Sequence, residues 1–345
     1  FNSIFGFLKK NILEVVVVVF LFLIWKFNLI DDFLPLLGVI ILGRLAFILW
    51  LHYIQQDFIS GIEFVILEVI PPRDVLRNPR AMELFITNAL YHYSNKGGGE
   101  EYWQGAVWFW FSLELVSIDG QVHFYIRTPS RIKQLIETQM YAQYPQAQVK
   151  EVEDYTLAVD EISPTSSWMG WGCEWALKRP EAFPINTYVD FGLDKDPKEE
   201  YKIDPISPVV EFFGSLGKGE QAWLQIVITP AKKRYKTAGT WFGTHNWVEQ
   251  SKLTIRDLLY PYARQNKILA EGGGFNIEYR TPDFLKTGVE GIAAKTSKLG
   301  FETGIRVMYV AKKEAWSMNH RRDIRLIFRQ YAKHDCNEFR RTNST

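Results

Sequence analysis

Apolar and polar residues alternate with a period of two over residues 64–69: Phe64, Ile66 and Glu68 fall on one side, Val65, Leu67 and Val69 on the other. That period predicts a strand. Pro71-Pro72 closes it, because proline has no N–H to give to a ladder. The period then lengthens. Met82, Phe85, Ile86, Ala89 and Leu90 recur at helical spacing, with Asn78 placed as N-cap and Pro79 at the first helical position. The glycine run at 97–99 predicts a loop. A strand rich in aromatic residues follows over 108–118. Asp119-Gly120 suits a two-residue hairpin turn, which needs positive φ, and 121–128 is the returning strand. Ser130 is placed to cap a helix carrying Ile132, Leu135, Ile136, Gln139 and Met140. Pro145 stops it, and 147–152 reads as a last strand.

Strand, helix, strand, strand, helix, strand is the split βαβ, ferredoxin-like order. A second pass of the same order is read further on. Residues 188–193 are taken as a strand, 194–202 as a charged loop, and Ser207-Pro208 as the start of a helix bearing Val209, Val210, Phe212, Phe213 and Leu216. Residues 221–229 form a clear strand, 287–298 a helix, 301–311 a strand and 319–336 a final amphipathic helix. Between them, 231–275 is an insertion with an amphipathic stretch at 253–269. The segment 163–184 reads as irregular. The expected fold class is therefore α+β with an N-terminal transmembrane helical hairpin and two ferredoxin-like modules. The expected division is a hairpin over 1–58, a first module over 59–160, a Trp-rich linker over 161–186 and a second module over 187–345.

The hairpin comes from two long apolar runs. The first is unbroken over 15–25 and, with its flanks at 4–30, suffices to cross roughly 30 Å of hydrocarbon. The second spans 33–53. Asp31-Asp32 between them reads as a tight turn. Lys9-Lys10 precede the first run and the Lys/Arg-bearing body follows the second. By the positive-inside rule both ends then face the cytoplasm. The expected place is a bacterial inner membrane, with the body on its cytoplasmic side. The chain opens at Phe1, which implies further residues upstream. Arg44 lies inside the second run, where it either pairs with a carboxylate, from a neighbouring subunit or Glu14, or snorkels toward a headgroup.

The net charge of +1 gives the whole chain no nucleic-acid footprint. Cys173 and Cys336 are too few for a disulfide framework and suit a reducing compartment. Charge is instead local. Arg321, Arg322, Arg325, Arg329, Lys333, Arg340 and Arg341 crowd the end of the chain, and Lys232, Lys233 and Arg234 open the insertion. Such stretches are either solvated faces or contacts for nucleic acid or anionic lipid. Trp168, Trp171 and Trp175 are candidates for a lipid or subunit interface, or for an inter-domain core.

Catalytic signatures fail on inspection. The stretch 214–219, Gly-Ser-Leu-Gly-Lys-Gly, resembles a phosphate loop. Phe212 stands where the first glycine belongs, Gly219 where the hydroxyl belongs, and helix precedes strand. It reads as a helix C-cap and turn. His320, His334, Asp335 and Cys336 suggest a metal set, but a spacing of two does not put His334 and Cys336 on one helix face. No catalytic residue, cofactor or metal is assigned.

Several stretches together resemble an uncharacterised membrane-linked domain family of candidate-phyla bacteria. They are residues 69–82 (VIPPRDVLRNPRAM), 111–144 (FSLELVSIDGQVHFYIRTPSRIKQLIETQMYAQY), 204–220 (DPISPVVEFFGSLGKGE), 225–230 (QIVITP) and 301–310. In that family the domain precedes an ATPase of type IV secretion or conjugative-coupling type. The resemblance covers about 62–339 and implies a membrane-anchored accessory region beside a motor, since this chain stops at Thr345 with no ATPase domain. The leading expectation is a non-enzymatic scaffold that forms homo-oligomers at the membrane, contacts lipid and partners a secretion ATPase. The alternatives are an adaptor for nucleic acid or anionic lipid, or the first part of a longer ATPase.

Overall fold

The computed structural model describes residues 30–72, 78–91, 98–195, 204–232, 235–236, 244–270 and 282–344. Most of the first expected span, with Glu14, lies outside them, as do Lys233 and Arg234. The helices are α1 (Ile30–Ser60), α2 (Arg80–Phe85, continued by a π turn over Ile86–Leu90), α3 (Gly98–Trp103), α4 (Lys133–Gln143), α5 (Ser207–Gly214), α6 (Trp247–Ala270), α7 (Asp283–Thr296) and α8 (Met318–Asp323). The strands are β1 (Phe64–Ile70), β2 (Phe111–Ile118), β3 (Gln121–Pro129), β4 (Gln148–Val152), β5 (Trp168–Leu177), β6 (Glu220–Pro230), β7 (Tyr235–Lys236), β8 (Thr244–His245), β9 (Phe301–Lys312) and β10 (Phe339–Thr342). Contacts divide the chain into two units: Phe1–Gly61 with Asn95–Val107, and Ile62–Ser94 with Trp108–Thr345.

In the first unit, α1 carries a run, Gly38–Ser60, long and apolar enough to cross a membrane. Its residues from Val39 to Trp50 stand exposed. Asp31 and Asp32, expected in a turn, lie instead within α1. The loop expected at 97–99 opens into α3.

The second unit is built on one antiparallel sheet of eight strands, in the order β10-β5-β9-β6-β2-β3-β1-β4. The strand order repeats. In the first half, β4-β1-β3-β2, the chain's first strand lies between its fourth and its third, and its second is outermost. The second half, β10-β5-β9-β6, has the same arrangement. These second strands, β2 and β6, stand at the centre of the whole sheet and pair with each other from Phe111↔Ile228 to Ile118↔Gln221. That pairing gives ladder partners to two strands that would otherwise be open edges.

All the packed helices of this unit that enter its two largest cores cover one face. On that face Leu67, Phe111, Ile126 and Ile228 meet Phe85, Ala89, Leu90, Ile136 and Met140 of α2 and α4. Leu115, Trp171, Cys173, Leu224, Val307 and Tyr309 meet Val209 and Phe213 of α5 and Ile324, Ile327 and Phe328 beyond α8. The Asp119-Gly120 turn has φ of 54° and 81°, as its composition demands. A Cβ on Gly120 would lie 2.5 Å from the Leu216 carbonyl oxygen, so the position needs glycine for space as well.

Several expected elements are corrected. The stretch 163–184, read as an irregular linker within 161–186, contains β5, a ten-residue strand inside the sheet. Gly170 and Gly172 lower its strand propensity, and burial of Trp171 and Cys173 overrides that. The strand expected at 188–193 is a series of turns, and the second half takes β5 as its first strand instead. Ser130 begins a 3₁₀ turn without a side-chain cap. The long helix expected over 319–336 stops at Asp323 and continues as two 3₁₀ turns, Ile324–Leu326 and Arg329–Tyr331. That break seats Phe328 against Trp175 and Phe339. The chain then reverses through the Lys333↔Asn337 bridge into β10, which pairs with β5. Buried Asn337 holds the reversal. Its Oδ1 accepts from the N–H groups of Arg179 (2.9 Å) and Glu338 (3.0 Å), and its Nδ2 faces the carbonyls of Arg179, Pro180 and Phe183. The insertion holds the β7–β8 hairpin and α6, whose range includes the amphipathic stretch expected at 253–269.

Candidate functional site

The opposite face of the sheet carries a transverse polar row. Register places Lys150, Glu68, Tyr125, Glu114, Gln225, Arg306 and Glu174 side by side across β4, β1, β3, β2, β6, β9 and β5. At its centre Glu114 is 4 % exposed. Its Oε2 accepts from the Tyr155 hydroxyl at 2.8 Å, and its Oε1 faces Arg127 Nε at 3.4 Å. Gln225 Nε2 donates to the Tyr155 oxygen at 2.6 Å, and Arg306 donates to Gln225 Oε1. Arg127 also grips Asp154 with both terminal nitrogens, at 2.8 and 3.1 Å. Tyr155 stacks on Tyr125 and meets Trp223 edge-on. The segment after β4 is thereby laid over the sheet and locked to it.

Burial alone pushes the Asp154 carboxyl up, but the Arg127 guanidinium and the Thr156 N–H and hydroxyl outweigh it and hold it down at about 2. Burial followed by the nearby Glu114 charge pushes the Tyr155 phenol far up. The row and the segment over it form a positioning lattice: Asp154 stays ionised and the Tyr155 phenol stays protonated. A pH dependence follows. Asp154 titrates lower in the fold than its ordinary 3.8, so its contribution is complete above about pH 4 and is lost as the pH falls toward 2. The lost stability is about 2 kcal/mol. Urea midpoints measured from pH 5 to pH 2 should fall accordingly, and Arg127→Met should flatten that fall.

A second carboxylate, Glu220 at the start of β6, closes the turn that resembles a phosphate loop. Its Oε2 accepts from the Gly217 N–H at 2.6 Å; its Oε1 accepts from the Tyr309 hydroxyl and lies 2.7 Å from His320 Nδ1. Asp119 Oδ1 accepts from the Gly219 N–H at 2.7 Å. Protein carboxylates thus occupy the N–H groups that a phosphate would need. The structure engages His320 with Glu220 and leaves His334 and Asp335 exposed beside buried Cys336. Among the described residues no group of three or more His, Cys, Asp or Glu side chains gathers to hold a metal. Burial pushes the Cys173 thiol up to about 11 and raises that of Cys336, so both stay protonated.

The arginines near the chain's end separate into two sets. Arg321 and Arg325 lie over the Trp171 ring at 5.9 and 6.0 Å. Arg322 and Arg329 stand exposed, as do Arg340 and Arg341 on β10. Among the described residues none of these six forms an ion pair with a carboxylate. Arg340 and Arg341 are adjacent on β10 and so point to opposite faces of the sheet. Trp168 and Trp171, considered as interface anchors, are 8 % and 5 % exposed within the sheet cores, and Trp175 packs edge-on against Phe328. Lys232 is exposed where the insertion begins, and Arg44 is exposed on the apolar run of α1. The sequence reading missed Glu114, Arg127, Tyr155, Gln225 and Arg306. Their signal was present as polar residues interrupting strands that are otherwise apolar, such as Glu114 within FSLELVSI.

Fold and site together define an α+β protein with one continuous antiparallel sheet and an apolar helix at its N-terminal side that can cross a membrane. The chain belongs to the DUF8128 family, a domain of unknown function, which matches residues 66–342. No curated protein and no solved structure matches it.

Proposed function

We propose that this chain is a membrane-anchored, non-enzymatic assembly module, in which two ferredoxin-like halves joined edge to edge form a rigid platform. The observation that carries the reading is α1: a helix with a 23-residue apolar run whose surface is left to its surroundings. The polar network supports it, because its groups are spent on one another. The family resemblance supports a place beside the motor of a type IV secretion or conjugation-like machine at a bacterial inner membrane, where several copies would position motor or substrate. Detergent extraction followed by mass photometry tests this. A multimer is the expected result, and a strictly monomeric particle across detergents overturns it.

The exposed arginines without carboxylate partners favour a second reading, an adaptor for nucleic acid or anionic lipid. Arg322 and Arg329 are the informative positions, since Arg321 and Arg325 also pack on Trp171. Replacing both with Gln should reduce the logarithmic salt dependence of binding to duplex DNA by about 2 if each contacts a phosphate. An unchanged slope discards this reading for DNA, and the same variant on anionic vesicles decides it for lipid.

A further inference from the structure

The segment at 98–107 lies in the first unit with α1, and its contacts there are specific. Trp50 Nε1 donates to the Tyr102 carbonyl at 3.4 Å, and the Phe47 and Tyr102 rings are 5.9 Å apart. Gly105, with φ of +65°, runs against the helix so closely that a Cβ would lie 2.2 Å from the Ile54 carbonyl oxygen. Ile54 is 8 % exposed beneath it. The turn is closed by the N–H groups of Gln104 and Ala106, which donate to the Glu100 carbonyl. This docking leaves large aromatic surface outside. Trp103 is 76 % exposed, Tyr53 67 %, Trp50 46 % and Tyr102 44 %.

These aromatics gather where the apolar run meets the polar residues Gln55, Gln56 and Asp57. Phe47 to Tyr53 covers roughly 9 Å of helix, which is a headgroup-depth band rather than a whole span. Tyrosine and tryptophan prefer that depth because each joins an apolar ring to a hydrogen-bonding group. The segment 98–107 holds Glu100 and Glu101 and no Lys or Arg, so attraction to anionic headgroups cannot seat it.

We propose that 98–107 is a second membrane contact, an interfacial anchor whose Tyr102 and Trp103 enter the headgroup boundary of a bilayer beside Trp50 and Tyr53. The inference rests on the reading of α1 as a membrane span. Its effect is to tie the β1–β2 connection to the lipid surface at a fixed depth, so the bilayer is met again at a point separated from α1 in the sequence.

The test places a nitroxide at Gln104→Cys in the full chain, in phosphatidylcholine nanodiscs, and reads depth from collision with oxygen and with a water-soluble nickel chelate. The native Cys173 and Cys336 are buried and escape labelling. Ile41→Cys serves as the hydrocarbon reference and Leu157→Cys, 83 % exposed at Leu157, as the aqueous one. The expected result is a ratio at position 104 several-fold above that at 157 and below that at 41. It should fall to the aqueous value when Tyr102→Ser and Trp103→Ser are added, and should not change with salt. An aqueous value at 104 with Ile41 still in hydrocarbon overturns the anchor while the span stands. An intermediate value that survives the double serine change also overturns it. Aqueous values at all three positions overturn both anchor and span.

Discussion

Glu114→Ala should destabilise the sheet unit by about 3–5 kcal/mol, the usual cost of removing one partner from a buried charged pair. Glu114 sits on a central strand at 4 % exposure, and three groups depend on it. The Tyr155 hydroxyl loses its acceptor, Arg127 loses a carboxylate, and Gln225 is left donating to a phenol that Glu114 no longer orients. Arg127 keeps Asp154, which limits the loss. Glu114→Gln retains an acceptor of the same shape, so it should cost less, about 1–2 kcal/mol. Urea denaturation followed by tryptophan fluorescence on the detergent-extracted chain reads both. A loss below about 0.5 kcal/mol for the alanine variant, the size of an ordinary surface change, would show that the lattice contributes little to stability.

The second large effect concerns cooperativity. Phe85 and Phe213 are each fully buried, one under each half of the sheet. Truncation of either to alanine should cost about 3–5 kcal/mol through lost transfer energy and an unfilled cavity. Both variants should lower one shared unfolding transition. The reason lies at the β2–β6 seam. Leu115, from the first half, belongs to the core of the second, and Ile228, from the second, belongs to the core of the first. Ile226 packs against both. Two separable modules would instead give two transitions, with each variant moving only its own. Calorimetry together with near-UV circular dichroism distinguishes the outcomes, and resolved transitions would refute a continuous core.

Much of the architecture was legible in local pattern. Period-two runs at 64–69 and 221–229, the Asp119-Gly120 turn and the stop at Pro145 all mark elements whose causes act within a few residues. The apolar run of α1 is equally local. Where the reading failed, the cause was distant. Trp168–Leu177 is a strand because β9 and β10 flank it, and no neighbour in sequence announces that. The helix after Met318 breaks because Phe328 has to reach Trp175 and because Asn337 closes a turn against the segment at 179–183. Hydrophobic period reports a preferred face and is silent on whether tertiary packing lets the helix continue.

The candidate sites divide in the same way. The crowding of arginines is a property of composition. Which of them stack on Trp171 and which face solvent is a property of the fold. The sequence by itself determined the polarity pattern, and with it the membrane-competent helix, the strands with strong alternation and the lack of a complete phosphate loop. Only the tertiary structure decided that two four-strand halves share one sheet and that Glu114, Arg127, Asp154, Tyr155 and Gln225 meet on one face. Strand register converts residues far apart in the chain into neighbours, and register is set by side-chain burial across several strands at once, which no local window contains.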